Sequence, residues 1–205
     1  SIGSFDHARG ALDIGDSVSD TVGLRANAMY ENSGSYRDGV SVERLGFAPT
    51  ATFELAPTTS LSLVAEHFED ERTVDRGVPS DGGTPFSGSE KAFFGNPDIN
   101  ESDIEVNTLT AVLDHAFTDT LTLRSSLSYG DYDKFYQNTY AATPLSAVGT
   151  VEIAAYNSGT KRENIFSQTD LVWKTSSGDI AHTLLAGIEF GQQVTDNTRF
   201  SGSFP

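Results

Sequence analysis

The side chains best suited to metal binding or catalysis are scattered along this sequence. His7, His67, His115 and His182 fall on separate segments, without the H-x-x-x-H or related spacing of a metal site. The run Asp131-Tyr132-Asp133 resembles the start of a calcium loop, but the glycine and later carboxylates of such a loop are missing. No nucleophile elbow, phosphate loop or dinucleotide fingerprint occurs. The sequence therefore predicts a protein that is not an enzyme and has no metal site or resident cofactor.

A second kind of chemistry is available in the long polar segments, which combine arginine with aromatic rings. A guanidinium group and ring faces together suit a ligand that is anionic and carries rings. The candidate ligand-binding residues are Arg76, Phe93, Phe94, Tyr132, Phe135 and Tyr136, with Tyr140 and Tyr156 beside them. Packing of the loops against one another is the alternative role for most of these side chains.

Composition narrows the class of protein that carries these residues. The 205 residues include no cysteine, which excludes disulfides and thiolate metal sites, and the net charge is -16. This acidity argues against a nucleic-acid partner, because phosphate binding requires clustered Lys and Arg. No run approaches the roughly 20 apolar residues of a membrane helix, whereas a membrane strand needs only about 10 residues of alternating character.

The residue pattern is that of an all-β protein, since no window keeps helical periodicity. Eight strands are predicted, and they pair into hairpins. Their approximate spans are 7–14, 22–31, 44–55, 60–66, 106–117, 121–129, 164–174 and 181–190.

Short and long connections alternate between these strands. The short ones are 15–21, 56–59, 118–120 and 175–180, all rich in turn-forming residues. The long ones are 32–43, 67–105 and 130–163. Compact soluble domains seldom contain several loops longer than about 12–15 residues, whereas outer-membrane barrels have short turns at one end and long loops at the other. The rhythm therefore favours an antiparallel up-and-down meander that is part of a larger transmembrane β-barrel.

The two faces of each predicted strand differ in charge. In 22–31, for example, Leu24 and Ala26 alternate with Arg25 and Asn27, and the other strands repeat this separation. A lipid-facing row should exclude charge in this way. The aromatic residues Tyr30, Tyr129, Trp173 and Phe190 lie on apolar rows near the predicted strand ends, as in the aromatic girdles of a barrel. A self-contained small β-barrel or a β-sandwich would show a similar alternation and remains the alternative.

Several loop motifs resemble those of one receptor family. They are Asp75-Arg76-Gly77-Val78-Pro79, Phe93-Phe94-Gly95-Asn96-Pro97-Asp98, Asp114-His115-Ala116-Phe117-Thr118-Asp119, Tyr129-Gly130-Asp131-Tyr132-Asp133, Ala155-Tyr156-Asn157, Arg162-Glu163-Asn164-Ile165-Phe166 and His182-Thr183-Leu184-Leu185-Ala186-Gly187. From about residue 8 to the end, they follow the order and spacing found in the barrels of TonB-dependent siderophore receptors. The catecholate-type branch is the one that the motifs resemble most.

The resemblance implies uptake of a ferric siderophore through a barrel of about 22 strands in the bacterial outer membrane. Residues 1–205 would then be a partial barrel domain, without the plug through which such receptors contact the TonB complex and without the later strands. The segment 197–205 is expected to begin another external loop. The partners implied are the ferric siderophore, TonB and outer-membrane lipid.

Two groups of charged residues acquire expected roles from this resemblance. The predicted lumen-lining residues are Arg9, Arg25, Arg44, Glu54, Arg124 and Asp170, which would contact the transport path or form an internal charge network. The segment 67–105 carries many more carboxylates than cations, and that field would repel an anion at long range. Screening over about 8 Å leaves room for a local arginine site, and a less negative ligand is the alternative.

Overall fold

The structure is a computed structural model that describes residues 1–204, and most of these residues lie in one antiparallel sheet of eight long strands. Strands that are neighbours in sequence are also neighbours in space. The strands are β1 (Ala8–Ser19), β2 (Val22–Gly34), β3 (Ser41–Ala56), β4 (Thr59–Thr73), β5 (Ser80–Asp81), β6 (Thr84–Pro85), β7 (Glu101–Thr118), β8 (Leu121–Ala141), β9 (Ile153–Ser177) and β10 (Ile180–Phe204). The short strands β5 and β6 form a separate hairpin inside the connection between β4 and β7. The described residues include no helix long and apolar enough to cross a membrane.

Each of the four predicted short connections contains a tight turn, and the four turns lie at one end of the sheet. The prediction is wrong for residues 15–19 and 175–177, which belong to strands β1 and β9. The turns are Asp20-Thr21, Pro57-Thr58, Asp119-Thr120 and Gly178-Asp179. Gly178 has a φ of 61°, a conformation that favours glycine. The opposite end carries the long connections 35–40, 74–100 and 142–152. We call it the long-loop end.

The strands are much longer than the sequence pattern predicted, and most of the excess lies at the long-loop end. Residues 67–73, 101–105, 130–141 and 153–163 are paired strand, not loop. The prediction of a loop at 197–205 is wrong for residues 197–204, which pair with β9, and Pro205 lies outside the described residues. Hydrophobic alternation identifies a strand only where one face is apolar. In these extensions the backbone ladder continues while both faces are polar.

The register places the six predicted lumen-lining residues on one face of the sheet. Arg9 pairs through Glu31 with Arg44, and Glu54 pairs through Ser60 and Asp114 with Arg124 and Asp170. Arg25 lies on β2 an even number of residues from Glu31, the partner of Arg9, so its side chain lies on the same face. We call this surface the arginine face. Because these residues are register partners on adjacent strands, or lie on the same face as such partners, side chains from separate strands form one continuous surface.

The opposite surface, the leucine face, carries Leu24, Leu127 and Leu171 and is uncovered. Leu127 is 50% exposed and Leu171 is 38% exposed. On β8 the face is uncharged from Leu121 to Tyr129, a stretch that matches the roughly 9–11 residues with which a tilted strand crosses the apolar part of a bilayer. We call this stretch the apolar band. Among the girdle residues, Phe190 lies in mid-strand because β10 continues to Phe204.

The described residues form a single layer. A β-sandwich would need a second large sheet over the leucine face, but the other sheet contains only the two short strands β5 and β6. A closed small barrel would pair β1 with β10, and within residues 1–204 these two strands are the two edges of the sheet. The fold is therefore the open meander that the sequence predicted, with neither alternative supported.

Candidate ligand-binding site

An ion-pair network crosses the arginine face on four adjacent strands. Arg9 lies 3.9 Å from Glu31, and Glu31 lies 3.5 Å from Arg44. Arg44 Nε donates to Asp70 at 2.6 Å, and Arg72 donates to the same carboxylate. Asp70 is only 2% exposed. Burial favours the protonated form of Asp70, but the hydrogen bonds from Arg72 and Arg44 outweigh it and hold the pKa of Asp70 below its ordinary value.

Two further arginines of the same face are paired near the short turns. Arg25 binds Asp13 at 2.6 Å, and Arg124 lies 3.4 Å from Asp114. Both pairs are exposed, so they contribute little to stability. The charge of each of these arginines is therefore balanced by a neighbouring carboxylate. At the long-loop end, by contrast, Arg76 and Arg199 contact tyrosine side chains.

A cluster of tyrosines and arginines forms at the long-loop end of the arginine face. Arg76 Nη1 donates to the hydroxyl of Tyr156 at 2.8 Å and to that of Tyr136 at 3.4 Å. The Arg76 guanidinium lies 5.2 Å from the ring centre of Tyr140, and that of Arg199 lies 4.6 Å from the ring centre of Tyr156. The Tyr136 and Tyr156 rings stack at 5.5 Å. We call these five residues the Arg76 cluster.

Strand register brings this cluster together. Tyr136 and Tyr140 lie on the same face of β8 because they are four residues apart. Tyr156 of β9 pairs with Asn138, which lies between them, and Arg199 of β10 pairs with Ser158. Only Arg76 comes from a loop.

The two stacked phenols differ in acidity. Burial raises the pKa of Tyr136 above its ordinary value. Burial acts in the same direction on Tyr156, but the hydrogen bond with Tyr136 and the charge of Arg76 outweigh it and lower the pKa of Tyr156. The cluster therefore offers guanidinium and phenol donors beside ring faces, which suits an anionic ligand with aromatic rings.

A buried arginine holds the loop that presents Arg76. Arg37, which is 6% exposed, donates through Nε to Asp75 at 2.5 Å and through Nη1 to the carbonyl of Ala92 at 2.8 Å. Asp75 also accepts from the backbone N–H of Gly77 at 2.8 Å. Arg37 therefore connects the loop 35–40 to both arms of the loop 74–100, on either side of Arg76.

Asn100 fixes the same loop to β8. It is 1% exposed, and its Nδ2 donates to the carbonyls of Val74 and Thr139 at 3.0 and 2.9 Å. Its Oδ1 accepts from the backbone N–H and the hydroxyl of Thr139 at 2.7 and 2.8 Å. Gly95 of the Phe-Phe-Gly-Asn motif packs beside it, where a Cβ would lie 2.4 Å from the Thr139 carbonyl oxygen. Glycine is thus required for the loop to approach β8 this closely.

Asn138 lies beneath the Arg76 cluster with one unpaired atom. The residue is 0% exposed, and its Nδ2 donates to the carbonyl of Tyr156 at 3.2 Å. Its Oδ1 has no hydrogen-bond donor among the described residues. A buried acceptor without a partner costs about 1–3 kcal/mol, and because Asn138 is fully buried, an outside group does not reach this oxygen in the present arrangement.

The predicted ligand-binding residues divide into three groups. Arg76 and Tyr136 meet in the cluster, and Tyr132 lies on the same face nearer the apolar band. Phe135, also predicted to bind ligand, has the opposite parity and lies on the leucine face, away from the cluster. Phe94 packs edge-on against Phe86 at 5.6 Å, and Phe93 lies beside Gly95, so both serve loop packing here.

Four residues of the site were not predicted: Arg37, Asn100, Asn138 and Arg199. Strand parity would have placed Asn138 and Arg199 beside the tyrosines if the strand extensions had been known. Arg37 contacts Asp75, which is 38 positions later in the sequence, and Asn100 contacts Thr139, which is 39 positions later. No local sequence pattern reveals contacts of this range.

Comparison with known proteins finds relatives that align with almost the whole chain. The chain is 30% identical over 200 residues to the metal-pseudopaline receptor CntO of Pseudomonas aeruginosa, and 28% identical over 221 residues to the catecholate siderophore receptor Fiu of Escherichia coli K12. Both alignments cover 96% of this chain, but only 28% and 29% of the relatives' lengths. No family model matches the chain.

Solved structures agree with this assignment. The open form of the ferric-catecholate import receptor Fiu matches 95% of this chain with a TM-score of 0.84 and 26% identity, and the match covers 33% of that structure. The ferripyoverdine receptor of P. aeruginosa bound to ferripyoverdine has a TM-score of 0.88 over 97% of the chain and 27% of that structure. At 18% identity, the second likeness shows the fold alone.

The open meander, its two contrasting faces and the similarity along nearly the whole chain lead to one conclusion. The chain is a relative of the TonB-dependent siderophore receptors, and its eight-stranded sheet corresponds to part of their barrel.

Proposed function

We propose that residues 1–205 form part of the barrel domain of a longer outer-membrane receptor that takes up a ferric siderophore. The arginine face would line the lumen, the apolar band would contact outer-membrane lipid, and energy would reach the receptor from TonB through a plug domain. The role is transport, not catalysis. CntO is named for metal-pseudopaline and Fiu for catecholate siderophores, which makes a chelate the natural ligand class.

The observation that carries the proposal is the position of the Arg76 cluster. It lies on the arginine face, beyond the apolar band and beside the long loops. A ligand that arrives from the loop side would meet these guanidinium and phenol groups before it reached the band. The single-layered sheet with an uncovered apolar face supports a wall in lipid.

Uptake by cells tests this proposal. The test strain is an iron-starved Gram-negative bacterium that lacks its own siderophore receptors. Expression of the intact receptor should restore its uptake of radioactive iron supplied as ferric siderophores. Uptake should require an intact tonB gene. Equal uptake with and without the receptor would refute the proposal.

Replacement of Arg76 by Gln should weaken binding of the transported chelate by about 10- to 100-fold. The change removes charge-assisted hydrogen bonds worth roughly 1.5–3 kcal/mol each, and 1.4 kcal/mol is a factor of ten. Equilibrium binding to the purified intact receptor in detergent measures the effect.

Lys91 provides the matched control. It lies in the same loop and its side chain is exposed, and it makes none of the side-chain contacts of the Arg76 cluster. Its replacement by Gln removes the same unit of charge. Lys91→Gln should change affinity less than twofold, an estimate that follows from screening of exposed charges. If both variants bind as tightly as the wild type, the Arg76 cluster is not the ligand site.

A further inference from the structure

Beyond the apolar band, the two faces of the sheet carry opposite charge. On the leucine face, carboxylates lie directly across from carboxylates: Glu43 pairs with Glu71, Glu71 with Asp103, and Glu105 with both Glu69 and Asp133. The acidic residues of the leucine face at this end are Glu43, Glu69, Glu71, Glu101, Asp103, Glu105, Asp131, Asp133, Glu163 and Asp196. Lys161 is paired with Asp133 at 3.1 Å on this same face.

The arginine face at the same level is basic. Its cations are Arg9, Arg44, Arg72, Lys134, Arg162 and Arg199, and its carboxylates there are Glu31 and Asp70. Both carboxylates are already engaged by Arg9, Arg44 and Arg72. Positive charge is therefore in excess on this face.

Three of these cations have no carboxylate partner among the described residues. Lys134 is exposed, Arg162 Nε donates to the hydroxyl of Thr195 at 3.1 Å, and Arg199 lies over the ring of Tyr156. Arg199 belongs to the Arg76 cluster, and Lys134 of β8 and Arg162 of β9 lie on the same face between the cluster and the apolar band. The uncompensated charge is thus concentrated around the candidate ligand site.

The acidic residues act weakly on this site because the sheet separates them from it. Side chains on opposite faces point away from each other, so their charged ends lie about 10 Å or more apart. Screening in physiological salt shortens the reach of exposed charges to about 8 Å. Of the ten carboxylates of 67–105, five therefore lie on the other side of the sheet, and Asp70 is already paired with Arg44 and Arg72. The remaining four lie in the loop 74–100, where Asp75 is paired with Arg37.

We infer that the chelate bound on the arginine face is a net anion of the ferric catecholate type, an inference that rests on the proposed function. Iron(III) bound by three catecholate dianions is a trianion, whereas iron(III) bound by three hydroxamate monoanions is neutral. The cations favour the former, and the tyrosine rings of the Arg76 cluster offer stacking faces for the catechol rings. The net charge of -16 of the chain does not oppose this choice, because the charge is distributed by face.

A pair of lysines tests the inference, since one lies on each face. Lys134 is on the arginine face and Lys161 is on the leucine face, and they occupy adjacent strands at the same end of the sheet. In the intact receptor, Lys134→Glu should slow association of a ferric tris-catecholate by about tenfold, because the reversed charge faces the approaching anion. Lys161→Glu should leave the association rate unchanged within about twofold.

The measurement is the association rate at two ionic strengths, with cell uptake of a ferric tris-catecholate and a ferric tris-hydroxamate as the second readout. Heat-modifiable gel mobility verifies that each variant is folded. We expect the wild type to prefer the catecholate and to lose part of its association rate at high salt. Uptake of the hydroxamate alone, or equal effects of the two lysine variants, would overturn the inference and leave the proposed function intact. Uptake of neither chelate would instead refute the proposed function.

Discussion

Replacement of Leu127 by Arg in the intact receptor should lower the free energy of unfolding by about 2–4 kcal/mol, the cost of arginine on a lipid face near the bilayer midplane. Leu127 lies within the apolar band and is 50% exposed on the leucine face. The guanidinium of the introduced arginine would enter hydrocarbon, and no carboxylate lies on the leucine face within the apolar band of β8 to pair with it. Reversible unfolding in lipid vesicles, followed by tryptophan fluorescence, measures the change.

Ser126 is the matched control because it is the preceding residue and lies on the arginine face. It pairs with Gln168, so a guanidinium there would have polar neighbours. Ser126→Arg should cost less than about 1 kcal/mol, as for substitutions away from lipid. An equal loss at the two positions, or a larger loss at Ser126, would show that the faces are assigned the wrong way round.

Replacement of Asn100 by Ala should release the loop 74–100 from β8. The change leaves the carbonyls of Val74 and Thr139 and the N–H of Thr139 without their present partners, at roughly 1–3 kcal/mol for each group that water cannot reach. Hydrogen exchange of the Thr139 amide should accelerate by about one to two orders of magnitude, because 1.4 kcal/mol corresponds to a factor of ten.

Asn157 offers a control of the same residue type at the same end of the sheet. Its side chain makes one long hydrogen bond, 3.5 Å to Gln137. Asn157→Ala should leave exchange of the Thr139 amide within about threefold of the wild type, which corresponds to less than 1 kcal/mol. Unchanged exchange in Asn100→Ala would mean that the loop is held by other contacts, with Arg37 the first to consider.

The sequence predicts the fold wherever a side chain has one apolar face to occupy. From Leu121 to Tyr129 the alternation of Leu with Arg and Ser identifies both the strand and its faces. From Gly130 to Ala141 both faces are polar, and the strand continues only through backbone pairing with β7 and β9. Such pairing depends on neighbouring chain segments, so a single sequence contains no local signal for it.

The candidate site was predictable to the extent that it uses residue type. Arginine and tyrosine are conspicuous in polar segments, and this identified Arg76, Tyr136 and Tyr156. Which of the predicted aromatic residues join the cluster depends on the face of the strand extension on which each one lies. Tyr136 lies on the face of the cluster, whereas its neighbour Phe135 lies on the opposite face. The contacts of Arg37 and Asn100 depend on how the loops fold back, which composition cannot reveal.

The two-residue turns restrict how this protein can vary during evolution. Removal of one residue from a turn such as Pro57-Thr58 would shift the register of a strand and exchange its two faces, placing charge in the apolar band. Chain length can therefore change freely only in the connections 35–40, 74–100 and 142–152, all at one end. New ligand preferences can arise there by insertion and deletion, while the opposite end keeps a fixed length.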